Sequence, residues 1–433
     1  MPMSDSYKNR LSAILSQIVD TFGTPFHIYD EKGIKKTCKK LNTAFETIDG
    51  FKEFFAVKAL PNPSIMKIMQ EMGFGFDCSS VPEIQLSRQI GSFNDDIMFT
   101  SNNTSPFQFE TALGNGGCIL NLDDISLISK LTDIPELICF RYNPGPRRKG
   151  NKIIGNPVES KYGVSHDQII DAYSKAIDLG VKRFGIHTML ASNELNYKYM
   201  VETTQMLLDM VKLIHENLDI TFEFINIGGG LGIPYTPDAK PFDLDAMAHE
   251  ITIAFKTFKK LKGWVPRLYM ESGRYITGPH GALVTSVINH KNIYRKYVGV
   301  NASMSALMRP GMYEAYHHIH IHGKENAAPL GKVDVVGALC ENIDKFAVQR
   351  ELPDTVEGDI LVIHDTGAHG HAMGFNYNGH LRPKELMLRE GGRVELIRRA
   401  ETMDDYFSTL HFEPKTLTFS KNRKITKDSK RSL

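Results

Sequence analysis

The chain has 433 residues, of which 42% are apolar, 23% charged and 9% aromatic, an ordinary globular balance that excludes collagen, coiled coil or disorder as the main state. With 51 basic and 50 acidic residues the net charge is +1, so neither nucleic acid nor a membrane surface is supported as a partner. No apolar run reaches the ~18 residues of a spanning helix, the first twenty residues are too polar for a signal peptide, and the five cysteines are widely spaced and never CxxC, so the expectation is a cytoplasmic protein without a disulfide framework.

Phe26–Tyr29 reads as a strand ahead of a repeating unit, and is expected to join a later β domain. From about residue 50 to 280 short apolar runs alternate with helical patterns. The runs are Phe54–Leu60, Gly75–Ser79, Ile97–Thr100, Cys118–Leu122, Leu137–Tyr142, Arg183–Thr188, Phe222–Ile227 and Arg267–Glu271. Between them, Ile65, Ile68, Met69 and Met72 precede Gly73, and Ile169, Ile170, Tyr173 and Ile177 precede Gly180. Glycine just past the last apolar position is a common helix end. Eight strand–helix units predict a (β/α)₈ TIM-type barrel, with an open doubly wound sheet as the competitor.

After about residue 281 the period changes to two, predicting strands at Ala282–His290, Val298–Asn301, His317–His322, Lys332–Gly337, Asp359–Asp365 and Arg393–Arg399. The expected division is an N-terminal segment 1–35 partly joining the β domain, a barrel 36–280, a C-terminal all-β domain 281–411 and a basic, solvated tail 412–433.

Three strand ends carry chemistry. Phe54-Phe55-Ala56-Val57-Lys58-Ala59 sets a lysine where barrel active sites are built. A snorkelling lysine is the plain reading; the functional one is an amine desolvated to a lower pKa, able to form a Schiff base. Phe224–Ile227 runs into Gly228-Gly229-Gly230-Leu231-Gly232, which is either a simple turn or a loop whose N–H groups approach a phosphate. Met270-Glu271-Ser272-Gly273-Arg274 places an acid and an arginine three apart, either as an ion pair or as separate ligands for a heterocyclic nitrogen and an anion. Together they point to pyridoxal 5'-phosphate, with Lys58 on the aldehyde, the glycines and Arg274 on the phosphate, and Glu271 on the ring nitrogen.

Over roughly residues 22–400 the sequence resembles the barrel-type pyridoxal-phosphate decarboxylases, and within them the diaminopimelate decarboxylase group. Phe54–Ala59 matches the lysine motif; Gly75-Phe76-Asp77-Cys78-Ser79-Ser80 with Glu83 matches GxDxxS…E; Gly228–Gly230 matches the phosphate loop; Glu271–Arg274 matches E-P-G-R with Ser272 for Pro. The resemblance further implies His187 stacked on the cofactor ring, and Tyr377, of a Tyr-Asn pair, as a cofactor contact. It implies Arg274, Arg309, Tyr313, Glu341 and His369 as substrate contacts. Cys340-Glu341, with Asp344 and Phe346, matches C-E-S-x-D-x-F, which implies a homodimer whose sites receive Cys and Glu from the partner, with Cys340 catalytic beside Lys58.

Three departures surround the substrate. His369 replaces the tyrosine of G-A-Y, Asn342 replaces serine, and Met189-Leu190 stands where Gly-Ser follows the histidine, with Ser192 a candidate for the phosphate role. The resemblance therefore implies α-decarboxylation of a small-molecule amino acid at a D centre. The favoured substrate is meso-2,6-diaminopimelate, giving L-lysine and CO2; the alternative is a D-ornithine/D-lysine decarboxylase. A racemase would want a cationic partner at the ring nitrogen, which Glu271 is not, and a noncatalytic homologue would not need Lys58, Cys340 and Arg274 together. No metal is expected: His318, His320 and His322 share a strand face, but no acidic or cysteine ligand accompanies them locally.

Overall fold

The computed structural model describes residues 3–151, 153–413 and 415; the basic tail therefore lies almost wholly outside the described residues. Two helices, α1 (Asp5–Ser12) and α2 (Leu15–Phe22), precede strand β1 (Phe26–Asp30). Helix α3 (Glu31–Ala44) follows directly, because the Asp30 carboxylate accepts the Gly33 N–H and caps it. Strands β2 (Lys52–Ala56), β3 (Gly75–Cys78), β4 (Asn94–Ser101), β5 (Cys118–Leu122), β6 (Leu137–Asn143), the two-residue β7 (Val164–Ser165), β8 (Arg183–His187), β9 (Phe224–Asn226) and β10 (Arg267–Met270) then alternate with helices, among them α5 (Val81–Gln89), α8 (Tyr197–Leu218), α9 (Leu244–Lys262) and α10 (Arg274–Thr277). Helix α4 (Pro63–Glu71) starts on Asn62 with proline at its first position, and α6 (Pro106–Leu113) carries a Ser105–Gln108 capping box. Gly73 and Gly180 take positive φ just beyond α4 and α7 (Ile169–Asp178), as the sequence pattern predicts.

All neighbouring barrel strands are parallel, in the order β5-β4-β3-β2-β10-β9-β8-β6, and β5 pairs with β6 to close the ring. The eight apolar runs are thus the eight barrel strands, and the closure decides against an open sheet. Alternation along each strand then sorts the interior into layers. Phe54, Met98, Ile119, Leu137, Cys139, Phe224 and Tyr269 form an apolar plug. Phe224 and Tyr269 stack with centroids 4.3 Å apart. Gly185 faces them because a Cβ there would lie 2.1 Å from the Phe224 ring. Two residues further along the same strands come Asp77, Thr100, Asn121, Arg141, His187, Asn226 and Glu271. The barrel therefore presents a polar layer at its C-terminal mouth, on a dry floor.

The second sheet is mixed. It comprises β11 (Gly281–Asn292), β12 (Lys296–Val300), β13 (Ile319–Ile321), β14 (Gly331–Val336), β15 (Lys345–Leu352), β16 (Ile360–Ile363), β17 (Lys384–Leu388) and β18 (Val394–Arg398). As expected from the sequence, β1 joins this sheet, antiparallel to β11 and parallel to β17. Strands β15 and β17 went unrecognised in the sequence. Between β12 and β13 the short helix α11 (Arg309–Tyr313) turns back over the barrel mouth. Among the described residues no helix is long and apolar enough to cross a membrane.

Candidate active site

A cavity of about 430 Å³ opens on the polar layer, lined by Lys58, Asp77, Arg141, His187, Met189 and Glu271 among others. Lys58 lies in the single turn Val57–Ala59 that ends β2. Its side chain is 47% exposed, into this cavity, and its Nζ donates to Asp77 Oδ2 at 3.0 Å. Burial disfavours its charge, but the Asp77 and Glu271 carboxylates outweigh that and raise its pKa above the ordinary lysine value. This corrects the sequence expectation of a depressed amine: desolvation is present, and two acids override it.

Glu271 follows β10 and is buried. His187 Nε2 donates to its Oε2 at 3.1 Å and Asn226 Nδ2 donates to its Oε1 at 2.7 Å. Burial pushes the carboxyl up, but His187, Lys58 and Asn226 together hold it below its usual range, so it is ionised. Asp77 is raised, by burial first and then by Glu271. Arg274 is not the partner of Glu271; its Nη1 donates to the Tyr235 hydroxyl at 2.7 Å. The ion-pair reading of Glu271–Arg274 therefore falls.

The glycine loop is more than a loose turn. Added Cβ atoms would lie 2.5 Å from Thr188 O at Gly228, 2.2 Å from Glu271 O at Gly229 and 2.6 Å from Ala191 O at Gly230. Gly228 and Gly230 also have φ of +69° and +106°. Only glycine lets this loop fit between the ends of β8 and β10. Met189 lines the cavity, and the Gly229 N–H points at its Sδ, 3.2 Å away. Ser192 is not on the cavity wall, and its N–H donates to Asn151.

His369 has φ +56°, and its N–H donates to Ala59 O, beside Lys58. Burial first, then Arg274, Arg309 and Lys58, holds its pKa well below the usual histidine value. Arg309 opens α11, with Tyr313 one turn on and exposed. Cys340 and Glu341 are exposed and do not line the cavity. The Cys340 N–H donates to Asn378 Oδ1 at 2.7 Å, which places the Cys340-Glu341 loop against the half-exposed Tyr377 segment. One chain thus brings Lys58, His187, Glu271 and the glycine loop to one cavity and its rim. It holds Cys340, Glu341 and Tyr377 in a separate exposed group.

These residues fit the pyridoxal phosphate predicted from the sequence. The cavity is within the roughly 300–1,000 Å³ usual for such ligands. Its wall offers an amine and an ionised carboxylate, and the buried His187 Nδ1 has no partner among the described residues. The family model described as "Pyridoxal-dependent decarboxylase, pyridoxal binding domain" matches residues 31–278. The chain belongs to this family. Its chemistry is amino-acid decarboxylation and its cofactor is pyridoxal 5'-phosphate. The chain is 45% identical to Protein TabA of Pseudomonas amygdali pv. tabaci, covering 96% of this chain and 97% of that one. It is 38% identical to the diaminopimelate decarboxylase of Methanothermobacter thermautotrophicus, covering 90% and 92%. Among solved structures, diaminopimelate decarboxylase from M. jannaschii in complex with L-lysine superposes with a TM-score of 0.82 at 28% identity, covering 90% of this chain and 93% of that one.

The sequence reading gave no role to Asp77, Asn226 or Tyr235. Asp77 and Asn226 had a readable signal: each lies two residues beyond a plug-layer position, Gly75 or Phe224. Glu325, unremarked in the sequence, lies 3.9 Å from His320 and 3.8 Å from His322.

Proposed function

We propose that the protein decarboxylates meso-2,6-diaminopimelate at its D centre, giving L-lysine and CO2. The observation that carries this reading is the ionised Glu271 beside Lys58 in one cavity, with Arg274 and Arg309, which together with Lys58 act on His369, paired to no carboxylate among the described residues. When bound, pyridoxal phosphate supplies an electron sink for the charge left by the departing CO2. Lys58 is the residue that would hold the aldehyde carbon, and Asp77 orients its amine. Glu271 keeps a proton on the ring nitrogen, and His187 and Asn226 fix the carboxylate in place. A racemase would suppress that proton, so the acid favours decarboxylation. The arginines would take the distal carboxylate and so fix the orientation of the substrate.

Cys340 and Glu341 complete the site from a second copy in this reading. The partner subunit's Cys340 delivers the proton to the α-carbon, which accounts for its exposure in a single chain. Residues 36–280 then carry the cofactor and Arg274, and 281–411 supply Arg309 and the dimer face.

His369 favours a second reading. A neutral imidazole in place of tyrosine, next to Lys58, reshapes the pocket and admits D-ornithine or D-lysine. CO2 release from meso-diaminopimelate, D- and L-ornithine, D- and L-lysine and L-arginine decides. The expected order puts meso-diaminopimelate first. A faster D-lysine or D-ornithine moves the assignment to the second reading, and turnover of L-ornithine or L-arginine alone overturns both.

A further inference from the structure

Arg309 is only 7% exposed, yet it forms no ion pair among the described residues. Arg274 likewise has no acid partner. The groups that bond to them or pack on them are neutral, and the nearby Asp365 carboxyl, pushed up to about 8 by burial, pairs with neither. The Arg309 guanidinium lies 4.5 Å from the centroid of the Tyr235 ring, and Arg274 lies 5.8 Å from it. Arg274 Nη1 donates to the Tyr235 hydroxyl, and Arg309 Nη1 donates to His317 Nε2 at 2.9 Å. The Tyr235 ring in turn packs edge-on to His317, with centroids 5.1 Å apart.

The tautomer of His317 follows from its other nitrogen. Nδ1 lies 2.7 Å from the His364 carbonyl oxygen. A carbonyl only accepts, so Nδ1 carries the hydrogen and Nε2 is a bare acceptor for Arg309. Burial, then the nearby Arg309 charge, keeps the ring neutral, with a pKa lowered to about 3. The four side chains come from the loop after β9, the segment after β10, α11 and the residues just before β13. Two cations are therefore held by one phenol and one imidazole, neither of which cancels a charge. Arg309 is itself pushed below its ordinary value by burial and by Arg274. A buried, uncompensated guanidinium such as that of Arg309, with the half-buried Arg274 beside it, is costly until an anion arrives, and a carboxylate then gains charge-assisted, forked hydrogen bonds.

We propose that Tyr235 and His317 are positioning residues that aim Arg274 and Arg309 at the distal carboxylate of the substrate while leaving both charges free for it. An aspartate or glutamate in either place would hold the arginines equally well and abolish their selectivity. The proposal rests on the reading that the substrate carries a distal carboxylate, and it assigns discrimination at that end to two residues that do not touch the reacting carbon.

The test uses binding to the holoenzyme, separate from turnover. L-Lysine keeps the distal amino-acid end of diaminopimelate, whereas cadaverine lacks the carboxylate. Affinity for each is read from the perturbed cofactor absorbance. The wild type is expected to prefer L-lysine. His317→Leu should cut that preference roughly tenfold, the loss of one charge-assisted hydrogen bond. His317→Gln, whose amide oxygen can accept the same bond, should regain most of it. Tyr235→Phe keeps the ring and should give a smaller loss in the same direction. It carries the test if His317→Leu fails to fold. General structural damage would weaken both ligands alike. An unchanged ratio in the variants that fold, or a wild type with no preference for L-lysine, overturns the proposal. Absence of CO2 release from meso-diaminopimelate with a ratio that still responds would instead defeat the substrate reading and leave the positioning role standing.

Discussion

On the wall of the barrel mouth built by β3, β6, β8 and β10, the charged groups meet partners. Lys58 meets Asp77 at 3.0 Å, Arg141 meets Asp123 at 3.1 Å and His187 meets Glu271 at 3.1 Å. Just beyond, where the segments after β9 and β10 meet α11, Arg274 and Arg309 rest on an aromatic ring and neutral acceptors. The difference separates two tasks. Paired groups keep their protonation state fixed before anything binds, which proton bookkeeping at a reaction centre requires. Unpaired cations gain most when a ligand supplies the missing charge, which is what selection among substrates requires.

The sharpest way to break this comparison is at the amine. Lys58→Ala should remove nearly all turnover and the borohydride-sensitive yellow absorbance of the holoenzyme, because the other amine on the cavity wall, Lys161, is exposed with its Nζ over the Tyr162 ring and not beside Asp77. A yellow, fully active variant would sink the cofactor assignment. The next effect concerns the exposed group. If Cys340 serves a neighbouring site, inactive Lys58→Ala and inactive Cys340→Ala chains should regain activity on mixing, since a hybrid dimer contains one intact site. Failure to recover despite demonstrated subunit exchange would count against shared sites.

The smallest effect is on stability. His27 and His317 are lowered to about 3, and His280, His318 and His320 to about 4, chiefly because burial disfavours the charged ring. Unfolded, these rings titrate near ~6.5. Between about pH 6.5 and 4 the unfolded chain binds protons that the native chain refuses, so stability falls as pH falls through that window. Asp365, pushed up to about 8 by burial, acts oppositely, losing its contribution as pH rises from about 4 to 8. Asp30, Glu53, Asp77, Glu83 and Asp344 are raised in the same direction as Asp365, but the lowered histidines, which also include His364, His369 and His371, outnumber these carboxyls among the described residues, so the melting temperature should drop by a few degrees on acidification from pH 6.5 to 4.5. A flat or rising profile would show that these rings are not held neutral.

The barrel strands were legible because each is a short apolar run closed by turn residues, and a parallel sheet buried on both faces reads that way. Strand β15, Lys-Phe-Ala-Val-Gln-Arg-Glu-Leu, was not, because its outer half is polar and sits at a sheet edge. Strand β17 is only five residues long, and its pairing to β1 comes from the other end of the chain. At the site, Lys58, Glu271 and the glycines stood out because each ends a strand. The pKa of Lys58 did not, since its direction depends on Asp77, brought beside it by the parallel register of β2 and β3. Tyr235 and His317 were opaque for the same reason: they are far apart in sequence and meet only across the two domains.

The division of labour is tested most directly by kcat and KM for meso-diaminopimelate and D-lysine in two variants, Glu271→Gln and Arg309→Ala. The account predicts that Glu271→Gln lowers kcat roughly hundredfold for both substrates. It predicts that Arg309→Ala raises KM for diaminopimelate roughly tenfold or more while scarcely changing D-lysine. If Arg309→Ala instead lowers kcat for both substrates alike, the paired and unpaired groups do not have separate tasks and the account is wrong.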